Sequence, residues 1–274
     1  VPTHFTQWQQ FHGPLIAFGV ALGLALVGRF LRIGLLGAAA GGSGVVAGWY
    51  AMSGRLWVIS AQPPADDLTA LAVIALLIGL LCSWLGPGRQ DWIGALLAAL
   101  AAGWLLSGAP RHLTALRANW PVGLGVAVAV LLVARALTAK AFEPLGIALA
   151  GLTLTVALHV AGTSPMWVNL ALVPGLVALA MFALPPMPGL AALPVAVDVA
   201  ALGCVAVISL GRLPRLGFAS VDAAALSPLL AVWLQPRTAE RLRRLGRAGP
   251  LAGSLLAGAI AVGCVWLVRL LLNR

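Results

Sequence analysis

The sequence predicts an all-α, polytopic integral membrane bundle of about ten (nine to ten) transmembrane helices, and three observations carry that reading. Of 274 residues, 61% are hydrophobic and 9% are charged, with a mean hydropathy of +1.02. Soluble domains run at roughly 45–50% apolar and about 25% charged. Apolar runs recur at the length of about 20 residues that a bilayer crossing requires, and the charges fall mostly in short connections between those runs. A chain of this length cannot hide so much apolar surface inside itself. A soluble globular enzyme, a disordered chain, a collagen-like repeat and a small disulfide-framed fold are all excluded.

Ten segments follow in order. The first two, about 14–28 and 33–52, are separated by Arg29 and Arg32. Both are glycine-rich: Gly19 with Gly23, Gly37 with Gly41 and Gly44 with Gly48 are GxxxG pairs, which let helix backbones approach closely. After the stretch from Ser53 to Asp67 come about 68–86 and 92–109, split by Pro87, Arg89 and Asp91. Pro110 to Pro121 reads as a connection, because proline breaks helix interiors, and leads into about 121–139. Lys140 and Glu143 separate this segment from about 144–162, and Gly162 to Pro165 precedes about 166–184. The run Pro185-Pro186-Met187-Pro188 introduces about 189–210. Arg212, Pro214 and Arg215 come before about 218–234, and the basic stretch from Pro236 to Pro250 before about 250–272. No connection is long enough for a soluble domain, so 1–274 reads as a single transmembrane domain. The first five segments and the last five are spaced alike, as an inverted 5+5 repeat would space them.

Seventeen basic residues, all arginine but Lys140, stand against seven acidic ones, for a formal net charge of +10. Placed in short loops, they read as anchors to anionic headgroups and give no sign of a nucleic-acid surface. Membrane lipids, and other membrane subunits, are the expected partners. The densest run, Arg237, Arg241, Arg243, Arg244 and Arg247, reads as an amphipathic loop contacting lipid or a partner subunit. Trp49, Trp57, Trp84, Trp92, Trp120, Trp167 and Trp233 stand near segment ends, as in an interfacial aromatic belt. Cys82, Cys204 and Cys264 read as small buried hydrophobes. No basic n-region precedes the first apolar run, which is expected to be a retained span. The expected location is a bacterial inner (plasma) membrane.

Five acids, Asp66, Asp67, Asp91, Glu143 and Asp222, stand at or near segment starts, where a carboxylate accepts from unpaired backbone N–H groups. Glu240 belongs to the basic run. Asp198 differs, since it lies near the middle of the eighth segment, where an ionised Asp costs about 2.5–3.5 kcal/mol. It is either a functional carboxyl or an interhelical hydrogen-bonding group. Thr155 and His159 share a face at i,i+4 in the sixth segment, and Asn169 lies in the seventh. Pro174 and Pro194 read as helix kinks, Pro194 freeing the carbonyl of Leu190 near mid-span. The first five segments hold no comparable set of interior prolines and polar groups. Kinked helices with midplane polar groups point to a transport site.

The chain contains no P-loop, HExxH or GxSxG motif, each of which would carry its own chemistry. No catalytic residue, metal site or cofactor is assigned. The leading expectation is a transporter or permease for a hydrophobic or amphiphilic small solute or a lipid, with Asp198, His159, Thr155 and Asn169 along its pathway. A non-catalytic scaffold subunit of a larger membrane complex is the alternative. A membrane transferase acting on a lipid-linked substrate through Asp66, Asp67 or Asp91 is the third.

Overall fold

Small side chains inside and large ones outside organise the molecule. The computed structural model describes residues 7–54, 67–82, 89–138, 145–182, 192–210, 218–242 and 249–272. Alanine dominates the buried set, while leucine dominates the exposed apolar residues. This suits a bundle surrounded by lipid, where close backbone packing replaces the hydrophobic drive between helices. The described residues form ten helices: α1 (Gln7–Phe30), α2 (Gly34–Ser53), α3 (Leu68–Cys82), α4 (Arg89–Leu106), α5 (Leu113–Leu137), α6 (Leu145–Val160), α7 (Pro165–Phe182), α8 (Ala192–Leu210), α9 (Phe218–Arg241) and α10 (Gly249–Leu272). Six of them, α1, α2, α5, α7, α8 and α10, are long and apolar enough to cross a membrane. The apolar helices α3, α4 and α6 are shorter. These features point to an integral membrane protein.

Glycine sets the closest contacts. Consecutive antiparallel pairs meet where a Cβ would collide with backbone: at Gly151 a Cβ would lie 2.6 Å from Gly175 Cα, and at Gly253 2.5 Å from Ala239 Cα. Gly103 and Gly123 bring α4 and α5 together in the same way. Gly44 and Gly48 of α2 receive Ala17 and Ala21 of α1 on one side and Val173 and Val177 of α7 on the other. The pair Gly19 and Gly23 takes no part, since nothing lies within 4 Å of a Cβ built on either.

At the centre runs α8, packed against α2 to α7 and α9. From Ala192 to Ala206 every residue but Cys204 is buried, which is why this helix is apolar on all its faces. The two halves are not packed alike. α6 packs on α9 and α10, but α1, its counterpart in a 5+5 repeat, has no comparable packing on α4 and α5 among the described residues.

Several boundaries differ from those the sequence predicts, and proline explains most of the differences. Pro121 lies inside α5, which starts at Leu113. The carbonyl it frees, that of Arg117, sits in a turn exposed on the bundle surface, while Asn119 Nδ2 ties this extension to the Ser107 carbonyl at 3.0 Å. α9 continues through Pro236 to Arg241, held to α10 by Gln235 Nε2 donating to Ser254 Oγ at 2.9 Å and Thr238 Oγ1 to the Gly253 carbonyl at 2.7 Å. Arg237 and Arg241 therefore belong to a helix and not to a loop, and Arg243, Arg244 and Arg247 lie outside the described residues. Pro14 lies inside α1 as Pro121 does inside α5, so interior prolines do not distinguish the second half. Trp49 and Trp167 are buried in the core and take no place in an interfacial belt.

Because the α6–α7 crossing depends on the missing side chains, Gly151→Ala is expected to lower the unfolding temperature in detergent, the overpacking costing about 1–3 kcal/mol. Gly19→Ala faces open space and is expected to leave stability unchanged or raise it by about 0.5–1 kcal/mol. Equal shifts at the two positions would contradict the crossing.

Candidate functional site: a lateral cleft beside a buried carboxyl

Among the residues singled out from the sequence, the structure separates more than it gathers. Asp198 is wholly buried, and neither carboxylate oxygen has a hydrogen-bond partner. Thr155 is buried, and its hydroxyl donates to the Gly151 carbonyl of its own helix at 2.8 Å. His159, one turn further along α6, is exposed, so the shared-face pairing with Thr155 does not line one interior path. Asn169 is buried in α7. Nor do the basic residues of the spans reach Asp198. Arg135 stacks over Trp92 with its Cζ 4.7 Å from the ring centroid. Arg269 donates to the Val160 carbonyl, beside Gly162, where a guanidinium suits the negative end of α6.

The prolines are absorbed by their surroundings. Pro194 is the third residue of α8, in the first turn, where a missing N–H costs nothing. It is not the mid-span kink that its spacing predicts; it packs instead against α2, its Cβ 3.2 Å from where Gly42 would carry one. Pro174 does lie inside α7 and removes the N–H that would meet the Leu170 carbonyl. That carbonyl accepts from the Trp49 indole Nε1 of α2 at 3.4 Å. Pro228 does the same to the Ala224 carbonyl, which accepts from the Ser227 hydroxyl at 2.7 Å. Neighbouring side chains thus re-satisfy the freed backbone groups, as membrane helices require.

The acids near helix starts divide into two kinds. Asp67 immediately precedes α3, and its carbonyl accepts from the Leu71 N–H at 2.9 Å, which is the N-cap position the sequence predicts. Asp66 and Glu143, and the side chain of Asp91, lie outside the described residues. Asp222 is no cap. It is the fifth residue of α9, beyond the unpaired N–H groups of the first turn, and its Oδ1 is buried without a partner.

Asp222 opens instead onto a cleft of about 570 Å³ between α5, α8 and α9. Gly125 and Ala129 of α5, Gly203 and Cys204 of α8, and Leu226 of α9 line it, and Asp222 is the only ionisable carboxyl on its wall among the described residues. Leu132 and Leu226 on its wall are 63% and 62% exposed, so the cleft opens sideways, toward the space that lipid fills. A second hollow of about 720 Å³ continues along α5 and α9 to Trp233 and Arg237, where the Arg237 guanidinium stacks 3.7 Å from the Trp233 ring centroid. At 100° per residue, Asp198 lies on the side of α8 opposite Ala200, Gly203 and Val207, three residues of the cleft wall. The two carboxyls thus flank α8 from opposite sides. The signal for Asp222 was present in the sequence, since Asp222, Leu226 and Leu229 fall at i, i+4 and i+7 on one helix stripe.

Among the described residues no three His, Cys, Asp or Glu side chains come together to hold a metal ion. No family model matches the chain, and neither a curated protein nor a solved structure does.

An interhelical role for Asp198 requires a hydrogen bond, and none is made. Asp198→Ala is therefore expected to raise the thermal stability of the purified protein, because an unpartnered buried polar group costs about 1–3 kcal/mol. A fall in unfolding temperature would assign Asp198 to helix association.

Proposed function

We propose that the chain is a multi-pass permease or transporter for hydrophobic or amphiphilic small molecules, including lipids, in a bacterial inner membrane, and that all ten helices cross it. The observation that carries this reading is the lateral cleft between α5, α8 and α9. Its size falls within the range of about 300–1,000 Å³ typical of small-molecule sites, its wall is apolar apart from Asp222 and Cys204, and it opens at the bundle surface. A molecule entering from the bilayer keeps its apolar part in an apolar setting and brings one polar group to Asp222. This moves the pathway from the α6–α7 face, where Thr155, His159 and Asn169 lie, to the opposite face of α8 from Asp198. The role proposed for Asp198 is that of a proton-carrying group behind the cleft wall, retained at an energetic cost that no structural contact offsets.

A second reading, a non-catalytic scaffold subunit, draws on the enclosure of Asp198 and on the exposed guanidinium of Arg237 at the end of α9. There the lipid-facing stack with Trp233 and the neighbouring Arg241 would dock headgroups or a partner subunit.

Reconstitution separates the two. Vesicles containing the protein are expected to equilibrate at least one of a set of fluorescent amphiphiles, with cationic, neutral or anionic heads, about tenfold faster than empty vesicles. Gly125→Leu, whose new side chain enters the cleft where a Cβ meets open space, is expected to return the rate to background. Flux of every class at the empty-vesicle rate would leave the scaffold reading in its place.

A further inference from the structure

We propose that the ligand of the α5–α8–α9 cleft is a lipophilic cation, an apolar body carrying one positive charge, which is held by Asp222. The inference rests on the permease reading of the cleft and names the chemistry of its ligand.

Its basis is charge complementarity within an otherwise apolar enclosure. The cleft of about 570 Å³ has room for a compact organic ion and offers no hydrogen-bond donor from Arg, Lys, His, Asn or Gln among its lining residues. An anion would meet nothing there to compensate its charge, and would be repelled by the carboxylate. A neutral solute would gain only apolar contact. A cation brings to Asp222 what the protein does not supply, since Oδ1 is buried and unpartnered. Ionising that carboxyl at the edge of a hydrocarbon medium is costly when it stands alone and far less so beside a positive charge. Arg237, the nearest described cation along α9, is fifteen residues away, or about 22 Å at 1.5 Å per residue. It is also engaged with Trp233. The depth of Asp222 fits the same ligand. Four residues into α9, it stands about 6 Å from the helix start, the depth at which an amphiphilic cation would carry its charge while its apolar part reaches the wall around Gly203 and Leu229.

The test is equilibrium dialysis of tetraphenylphosphonium against the purified full chain in detergent, with protein-free detergent as the blank and dodecyltrimethylammonium, dodecanol and dodecyl sulfate as competitors at concentrations far below that of the detergent. Saturable binding is expected, displaced by the cationic competitor and poorly by the other two. Asp222→Asn, which keeps the side-chain shape, is expected to weaken binding about tenfold or more, as loss of one member of a desolvated charge pair does. Asp222→Glu is expected to restore much of it, and Gly19→Ala, at a position away from the cleft where a Cβ meets open space, to leave it unchanged. Gly125→Leu should abolish it by occupying the cleft, which guards against a folding defect at Asp222 being read as a lost ion pair. Equal affinity in the wild type and Asp222→Asn would overturn the proposal. So would Gly125→Leu-sensitive binding of the neutral or anionic probe without binding of the cation, and in that case the cleft would still stand as a ligand site. If no probe of any charge binds in a Gly125→Leu-sensitive way, the cation proposal and the permease reading fall together.

Discussion

The close approach of helix backbones at glycine is the constraint on which the rest of this structure depends. Between apolar helices in lipid there is little hydrophobic gain from association, so stability comes from dispersion contacts and from the small residues that allow them. The α6–α7 pair meets at Gly151 and Gly175, α4–α5 at Gly103 and Gly123, and α9–α10 at Gly253. With those pairs fixed, α8 fills the middle as an all-round apolar rod. The cleft is the complement of this arrangement. α5 is held to α4 and α9 to α10, while α5 and α9 barely touch one another, and the gap between them, backed by Gly203 and Cys204 of α8, is the hollow that Asp222 lines.

Backbone polarity is handled with the same economy of means. Proline inside a membrane helix would leave a carbonyl unpaired in hydrocarbon, and at Pro174 and Pro228 it is closed by a single side chain. Trp49 serves the Leu170 carbonyl freed by Pro174, and Ser227 serves the Ala224 carbonyl freed by Pro228. The Trp49 contact also joins α2 to α7, so one residue both heals a helix and fixes a crossing. Arg269 reaches the end of α6 and the Val160 carbonyl. The matching is incomplete elsewhere: Asp198 makes no hydrogen bond, and Asp222 Oδ1, Ser209 Oγ and Gln235 Oε1 have none. Asp198 and Asp222, the two carboxyls of this set, lie on opposite sides of α8.

Segment positions were legible in the sequence because apolar length and loop charge are strong local signals, and ten helices occupy the ten expected places among the described residues. Helix ends were less legible where proline was involved. Pro121 and Pro236 read locally as breaks, yet α5 and α9 run through them because Asn119, Gln235 and Thr238 tether the flanking turns to the neighbouring helix, a contact that no local window contains. Pro194 failed in the other direction: with α8 starting at Ala192, a residue expected at mid-span falls in the first turn. The candidate site was legible in part. Asp198 was visible as an intramembrane acid, but which side of α8 it faces depends on packing. Asp222 was hidden by an adequate local explanation, that of a cap, although its stripe with Leu226 and Leu229 was there to be read.

As a permease pathway, the space between α5, α8 and α9 must also connect with water. That connection is tested most directly by thiol access at position 229, on the cleft wall. Leu229→Cys, in a background with Cys82, Cys204 and Cys264 replaced, would be exposed in intact membranes to a membrane-impermeant thiol reagent from each side in turn. Labelling from at least one side, lost when Gly125→Leu fills the cleft, is the expected result. Failure to label from either side in a folded protein would contradict the account, leaving a dry seam between helices with no path through it.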